Sequence, residues 1–493
     1  MDTATDAALR LPLLVGIGVA TRREDDFRNA LEPVDLMREA VDAAGRDCGA
    51  PALLRDIGYI AVPRGRWTYN NPAGAIARHI GATHATTVLA TVGVLQQTLI
   101  GEACARIARG ESEAALVVGA DAGYRLLRAQ IAGLRPPEAD TGDLAPHLTL
   151  APKDELRHPV ETRAGMKMPV GLYAILESAY RARHGWTIDE HRDRIARLYE
   201  RFSRIASDNP HAWNRTAMSA EQIRDASPKN PMQAFPYTRA HCSTWNVDQA
   251  AALLFCSKAK ADALGIPLSR RIHVAASTES NHMVAVSARA DLASCPGAGI
   301  AGRGALDAAR LQAAEIDLID LYSCFPIAVE TYADALGLDP LRDLTVTGGM
   351  AFAGGPYNNY VLQATARAAE LLRAGKGRNA LVSSVSGVLT KQAFGVYSIE
   401  PPAAGFVHRD MSDQVAREVK SLDVREDYSG DATVAGCTVL HSRNEPVRAV
   451  ALVDTADGAR AMATSDDPEL ARRMEQEEFV GRRVRVDDNR LFA

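Results

Sequence analysis

The chain has 493 residues, room for on the order of two to four folding units at roughly 150 residues each. Hydrophobic residues make up 47% and charged residues 24%, an ordinary globular balance, and the net charge of -5 argues against a nucleic-acid partner. No stretch approaches the ~20 apolar residues of a membrane span. The seven cysteines are scattered with no CxxC pair, which excludes a disulfide framework and a cysteine zinc site; no metal ligands are assigned, and a cytoplasmic protein is expected.

In chain order, LLVGIGVA (13–20) reads as a glycine-punctuated buried strand, 34–46 as a helix and IGYIAVP (57–63) as a second strand. A long helix is expected from near Gly93 to Arg109, ended by Gly110 and feeding the strand AALVVGAD (114–121). This alternation predicts an α/β layered fold with a largely parallel central sheet. Residues 124–240 break the rhythm. They hold two helical stretches, 169–183 and 188–206, among proline-rich polar segments, and suit an excursion from the core. The rhythm resumes with strands 250–257 and 270–277, a helix at 302–311 and the strand IDLIDLYSCF (316–325) running into a loop. A helix at 360–373 and a strand at 379–387 close this part, and the two α/β stretches hint at internal duplication. After the linker EPPAAG (400–405), segments 433–440, 447–455 and 480–488 read as strands of a small barrel or sheet, with a charged helix at 466–478.

Several segments carry a resemblance. ACARIARGESEAALVVGADA (103–122), SDNPHAWNR (207–215), HCSTWNVDQAAALLF (241–255), EIDLIDLYSCF (315–325) and LTVTGGMAFAGGPYNN (344–359) resemble, in order, five motif regions of the thiolases, specifically the sterol-carrier-protein branch. The resemblance covers residues 11–399 and implies a duplicated αβαβα five-layered core. It divides the chain into an N-terminal half (1–123), a loop domain (124–240), a return to the first half (241–269) and a C-terminal half (270–399). Residues 406–493 are similar to the additional C-terminal domain of bacterial thiolase-like proteins of type 1, expected as a small OB-like β-barrel. Being acid-rich and poor in aromatics, this domain reads as a substrate lid or protein-interaction module rather than a nucleic-acid binder.

Thiolases make or break a carbon–carbon bond between acyl-CoA molecules, so the resemblance implies the acyltransferase class and lipid metabolism. Their nucleophilic cysteine sits at a helix N-terminus that favours its thiolate; a GHP histidine activates it, a second cysteine exchanges the α-proton, and an Asn or His helps form an oxyanion hole. In this chain those four positions fall near Gly93, on Gly355, on Ser383 or Ser384, and on Tyr322. Ordinary thiolase activity is therefore not expected. Thr91 reads as a packing or capping residue. The candidate replacements are Cys324 as a relocated thiol, Tyr322 as a hydrogen-bond donor and Ser384. His241 and Cys242 are adjacent, and on an extended strand they would point to opposite faces. For CoA, the resemblance points to Ser243, with His211, Arg183 and the basic helix faces of the loop domain as phosphate partners. Trp213 and Trp245 could wall an acyl or adenine pocket, and Gln249 replaces a family glycine. The leading expectation is an acyl-CoA-recognising protein that needs no cofactor beyond the thioester. An active acyltransferase or C–C lyase using Cys324 and a non-catalytic scaffold are the alternatives. The family implies a homodimer pairing through TVLATVG (87–93), although the added domain leaves a monomer open.

Overall fold

The computed structural model describes residues 7–142 and 144–493. Pro12–Thr21 lies at the centre of the main sheet, buried along nearly its whole length. On one side follow Asp248–Ser257, Ala114–Ala122, Tyr59–Pro63, Thr86–Ala90 and Leu148–Leu150; on the other follow Ile272–Ser280, Lys391–Ser398, Asn379–Ser386 and Leu318–Asp320. Outward from the centre, each side runs first strand, last strand, then the inner strands of its own half, four in the first and two in the second, so the duplication hinted at by the sequence is plain in the strand order. Within the sheet the halves are joined where Leu13 pairs with His273 and Leu14 with Ile272.

The sheet is mixed, not largely parallel. Asp248–Ser257 runs antiparallel to both its neighbours, Pro12–Thr21 and Ala114–Ala122, as Lys391–Ser398 does to Ile272–Ser280 and Asn379–Ser386. Parallel pairing is confined to Leu318–Asp320 and the Tyr59, Thr86 and Leu148 strands, with Val407–Asp410 added beside Ile272–Ser280. The misreading has a physical cause: runs such as AAALLFC are apolar on both faces, the mark of strands covered by helices on both sides, which parallel and antiparallel strands share when doubly covered.

The helices Gln96–Arg109 and Tyr360–Arg373 form the middle layer, touching strands of both halves. A helix in that position must be apolar nearly all round, and Gln96–Arg109 buries Leu99, Ile100, Ala103, Cys104 and Ile107 together. Pro33–Asp47 covers the outer face of the first half and Pro296–Ala309 that of the second. Gly18 permits the first of these contacts, since a Cβ there would collide with the Ala40 carbonyl of the covering helix. The expected helix at 302–311 thus begins earlier, at Pro296, and the expected strand 316–325 is regular only over Leu318–Asp320.

In the excursion, Pro169–Arg183 and Ile188–Asp208 are helices as expected, the second opened by a Thr187–Glu190 capping box. Past them, Met232–Ala234 and Tyr237–Thr238 leave the core and extend the second sheet. That sheet closes on itself: Gly430–Ser442 pairs with Glu445–Thr455, which pairs with Arg460–Ser465, then Arg490–Phe492, then Arg483–Asp487, and back to Gly430–Ser442. The result is a five-stranded closed barrel, one face of which rests on the helix Pro169–Arg183. There the Cys437 amide donates to Ser178 Oγ at 2.8 Å, and Arg181 reaches both Glu478 oxygens at 3.0 and 2.9 Å. No described helix is long and apolar enough to cross a membrane.

Candidate active site

The strand Thr86–Ala90 hands over to the helix Gln96–Arg109 through a tight loop containing Gly93. Gly93 has φ +101°, a left-handed conformation that disfavours any side chain. A Cβ there would also lie 2.8 Å from Pro152 and 3.1 Å from Leu156 of the covering loop. The Gly93 carbonyl accepts from Lys391 Nζ at 2.5 Å and from Ser386 Oγ at 3.3 Å.

The remaining family positions gather around the same helix start. Gln96 Oε1 accepts from the Val361 amide at 2.7 Å, and its Nε2 donates to Asn358 at 3.4 Å, fastening the helix to the loop after Gly355. The Gly355 amide donates to the Thr244 carbonyl at 2.9 Å. A Cβ on Gly355 would meet Met350 Cε at 3.0 Å and Ser243 Cβ at 3.3 Å, so a methionine stands where a histidine would need room. The Tyr322 amide donates to Ser383 Oγ at 2.8 Å, and Ser243 Oγ donates to the Cys324 carbonyl at 3.2 Å. Gly93, Tyr322, Gly355 and the Ser383–Ser384 pair therefore belong to one connected site.

The candidate side chains Cys324, Tyr322 and Ser384 are all buried there. Cys324 is 8% exposed, and burial pushes its thiol up to about 12, which leaves a thiolate fraction of ~10⁻⁵ at neutral pH. Burial likewise raises the Tyr322 phenol, whose ring packs edge-on against Tyr360 at 5.6 Å. Ser384 Oγ is buried with no hydrogen-bond partner, so no base adjoins it. His241 is buried and pushed down to about 3, with Nδ1 held 3.0 Å from Thr238 Oγ1, while Cys242 is pushed up to about 12. A neutral imidazole beside a protonated thiol is no activated pair. Lys391 is buried, and its ammonium is spent on the Gly93 carbonyl.

The three CoA candidates have separate partners. Ser243 belongs to the site; His211 Nε2 pairs with Glu370 at 2.8 Å, and Arg183 pairs with Asp291. Arg181, on the same helix as Arg183, is buried and bound to Glu478. Trp245, two residues beyond Ser243, is 40% exposed. Arg66 lies over its ring at 5.3 Å and over Tyr357 at 5.8 Å while pairing with Asp121 at 2.6 Å. Trp213 faces Arg23 and Tyr124. Gln249, in place of glycine, is buried and donates to the carbonyls of Ala353 at 2.9 Å and His211 at 3.2 Å, clamping the loop before Gly355 to the excursion.

Residues 410–490 match the family model described as the thiolase-like protein type 1 additional C-terminal domain. The whole chain superimposes on the crystal structure of a monomeric SCP2-thiolase like protein type 1 from Mycobacterium smegmatis, with TM-score 0.81, 28% identity and 98% of each chain covered. The chain is thiolase-like and resembles the type 1 proteins that carry the additional C-terminal domain. It is also similar to curated acetyl-CoA acetyltransferases. That of Methanocaldococcus jannaschii is 28% identical over 156 residues, 32% of this chain and 37% of the relative. That of Methanothermobacter thermautotrophicus is 27% identical over 195 residues, 40% of this chain and 46% of the relative. The chain thus spans less than half the length of these curated relatives.

Sequence reasoning missed Gln96, the hub of this thiolase-like site, and Lys391, whose positive charge opening the buried strand Lys391–Ser398 was the available signal. It also missed Glu279, which takes a hydrogen bond from Thr98 on the central helix. Although no metal ligands were assigned from the sequence, the fold brings Glu177, His191 and Glu330 together, with ligand atoms all within 4.8 Å of one another.

Proposed function

We propose that this thiolase-like protein recognises acyl-CoA or CoA without carrying out ordinary thiolase turnover. One observation carries the reading: the family's catalytic positions converge around Gln96, yet they hold glycine, serine and a buried tyrosine where the chemistry needs a thiolate and an imidazole. Cys324, the relocated-nucleophile alternative, is disfavoured by its burial and its raised thiol. The exposed Trp245 ring, with Arg66 over it and Tyr357 beside it, offers a stacking face for adenine next to Ser243.

The quaternary state follows the same logic. In the homodimer the family implies, Thr86–Ala90 would pair with a second copy. Here that edge pairs with the chain's own Leu148–Leu150, Val88 opposite Leu148. A monomer is the consistent reading, and the Mycobacterium smegmatis relative is itself described as monomeric.

The deciding experiment incubates the full chain with labelled acetyl-CoA and acetoacetyl-CoA, following turnover and covalent mass, alongside calorimetry with CoA. The expected result is binding without turnover or adduct, weakened about tenfold by Trp245→Ala, in line with roughly 1–3 kcal/mol for an aromatic stacking contact. An acyl adduct on Cys324 would overturn the inactive reading, and the absence of any binding heat across temperatures would sink the CoA reading and leave the scaffold.

A further inference from the structure

Three helices distant in sequence converge away from the positions just described. Glu177 comes from Pro169–Arg183, His191 from the first turn of Ile188–Asp208, and Glu330 from Pro326–Leu336. His191 Nε2 lies 2.5 Å from Glu177 Oε1, and the Tyr237 hydroxyl donates to the other Glu177 oxygen. Glu177 and His191 are fully buried, and Glu330 Oε2 is shielded from solvent with no hydrogen-bond partner.

Two buried carboxyls in contact call for a compensating positive charge or a proton. The nearby guanidinium groups are committed elsewhere. Arg181 is held by Glu478 at 3.0 and 2.9 Å, and Arg194 lies over the Trp186 ring at 3.9 Å. An imidazole and two carboxyls whose ligand atoms lie within 4.8 Å of one another, with Glu330 Oε2 unpartnered, form a donor set suited to a metal ion.

We propose that Glu177, His191 and Glu330 bind one divalent transition-metal cation of the Zn²⁺ type, with the Tyr237 hydroxyl as a fourth donor. An ion roughly 2.0–2.2 Å from each donor needs its ligand atoms about 3–4 Å apart. Binding therefore opens the short His191–Glu177 contact and releases to solvent any proton held between those two groups. With Glu177 and His191 fully buried, the ion's role is structural. It joins both helices of the excursion to Pro326–Leu336, whose N-cap Phe325 packs on Tyr237 at 5.5 Å, and so braces the segment carrying Tyr322 and Cys324.

The test is metal analysis of untagged full-length protein, followed by chelator dialysis and reconstitution with Zn²⁺ or Co²⁺. The expected result is about one ion per chain, a fall in Tm on chelation restored by Zn²⁺, and visible d–d absorption with Co²⁺. Glu330→Gln and His191→Gln, which nearly preserve volume, lose the ion and the Co²⁺ spectrum. Wild-type protein that neither holds metal nor changes its Tm or spectrum on titration with Zn²⁺ and Co²⁺ would overturn the proposal, and that measurement stands even where a variant fails to fold. A stoichiometric ion that persists in folded His191→Gln would overturn it equally, because the ion would then lie elsewhere.

Discussion

The segment Tyr322–Phe325 separates two regions of opposite character. On the Tyr322 side lie the positions that the resemblance matches to the family's catalytic ones, held by backbone geometry and buried side chains. On the Phe325 side lies the junction of excursion, C-terminal half and barrel, where an imidazole, two carboxyls and a phenol are buried together with no role in thiolase chemistry. A glycine loop can keep its path through hydrogen bonds to its own backbone groups, as Gly93 and Gly355 do, whereas a junction between separately built units needs side chains that reach across it. The comparison teaches that geometry and chemistry can part company within one fold.

The largest expected effect tests the barrel side. Phe479 is fully buried in the barrel core, so Phe479→Ala should cost about 3–5 kcal/mol, read by denaturant unfolding. A loss below about 1 kcal/mol would mean the barrel contributes little to the cooperative unit. Next comes an attempt to restore chemistry with Gly93→Cys and Gly355→His together. The positive φ at Gly93 and the contacts with Pro152 and Met350 should cost about 2–4 kcal/mol with no gain of thiolase turnover; measurable acetoacetyl-CoA cleavage would show the geometry more forgiving than these distances allow. Tyr322→Phe should change stability by less than about 1 kcal/mol, since only one hydroxyl is removed, and a larger loss would give Tyr322 a share in holding the site together. The smallest effect is at Cys324: native protein at pH 7.5 should show no alkylation there by peptide mapping, with full labelling only in denaturant. Rapid native labelling would return Cys324 to the list of nucleophiles.

Much of this arrangement was legible in the sequence. Five motif regions in order gave the layered core, and the helices at 169–183 and 360–373 lie at their expected residues. The strand directions were not legible, because doubly covered strands carry the same apolar pattern either way. Gln96 was hidden because a glutamine at a helix start has no distinctive spacing, and its meaning depends on Asn358 and Val361 far along the chain. Glu177, His191 and Glu330 were hidden likewise, since three helices must pack before they share a neighbourhood.

The three residues Leu148–Leu150 have a consequence beyond sheet geometry. A subunit that borrows its neighbour's strand loses part of its stability on dilution, because its folded state is tied to association by mass action. On the proposed monomer reading, a chain that supplies this strand from its own excursion is free of that dependence. Its Tm should hold constant across a hundredfold dilution, leaving it as robust when scarce as when abundant.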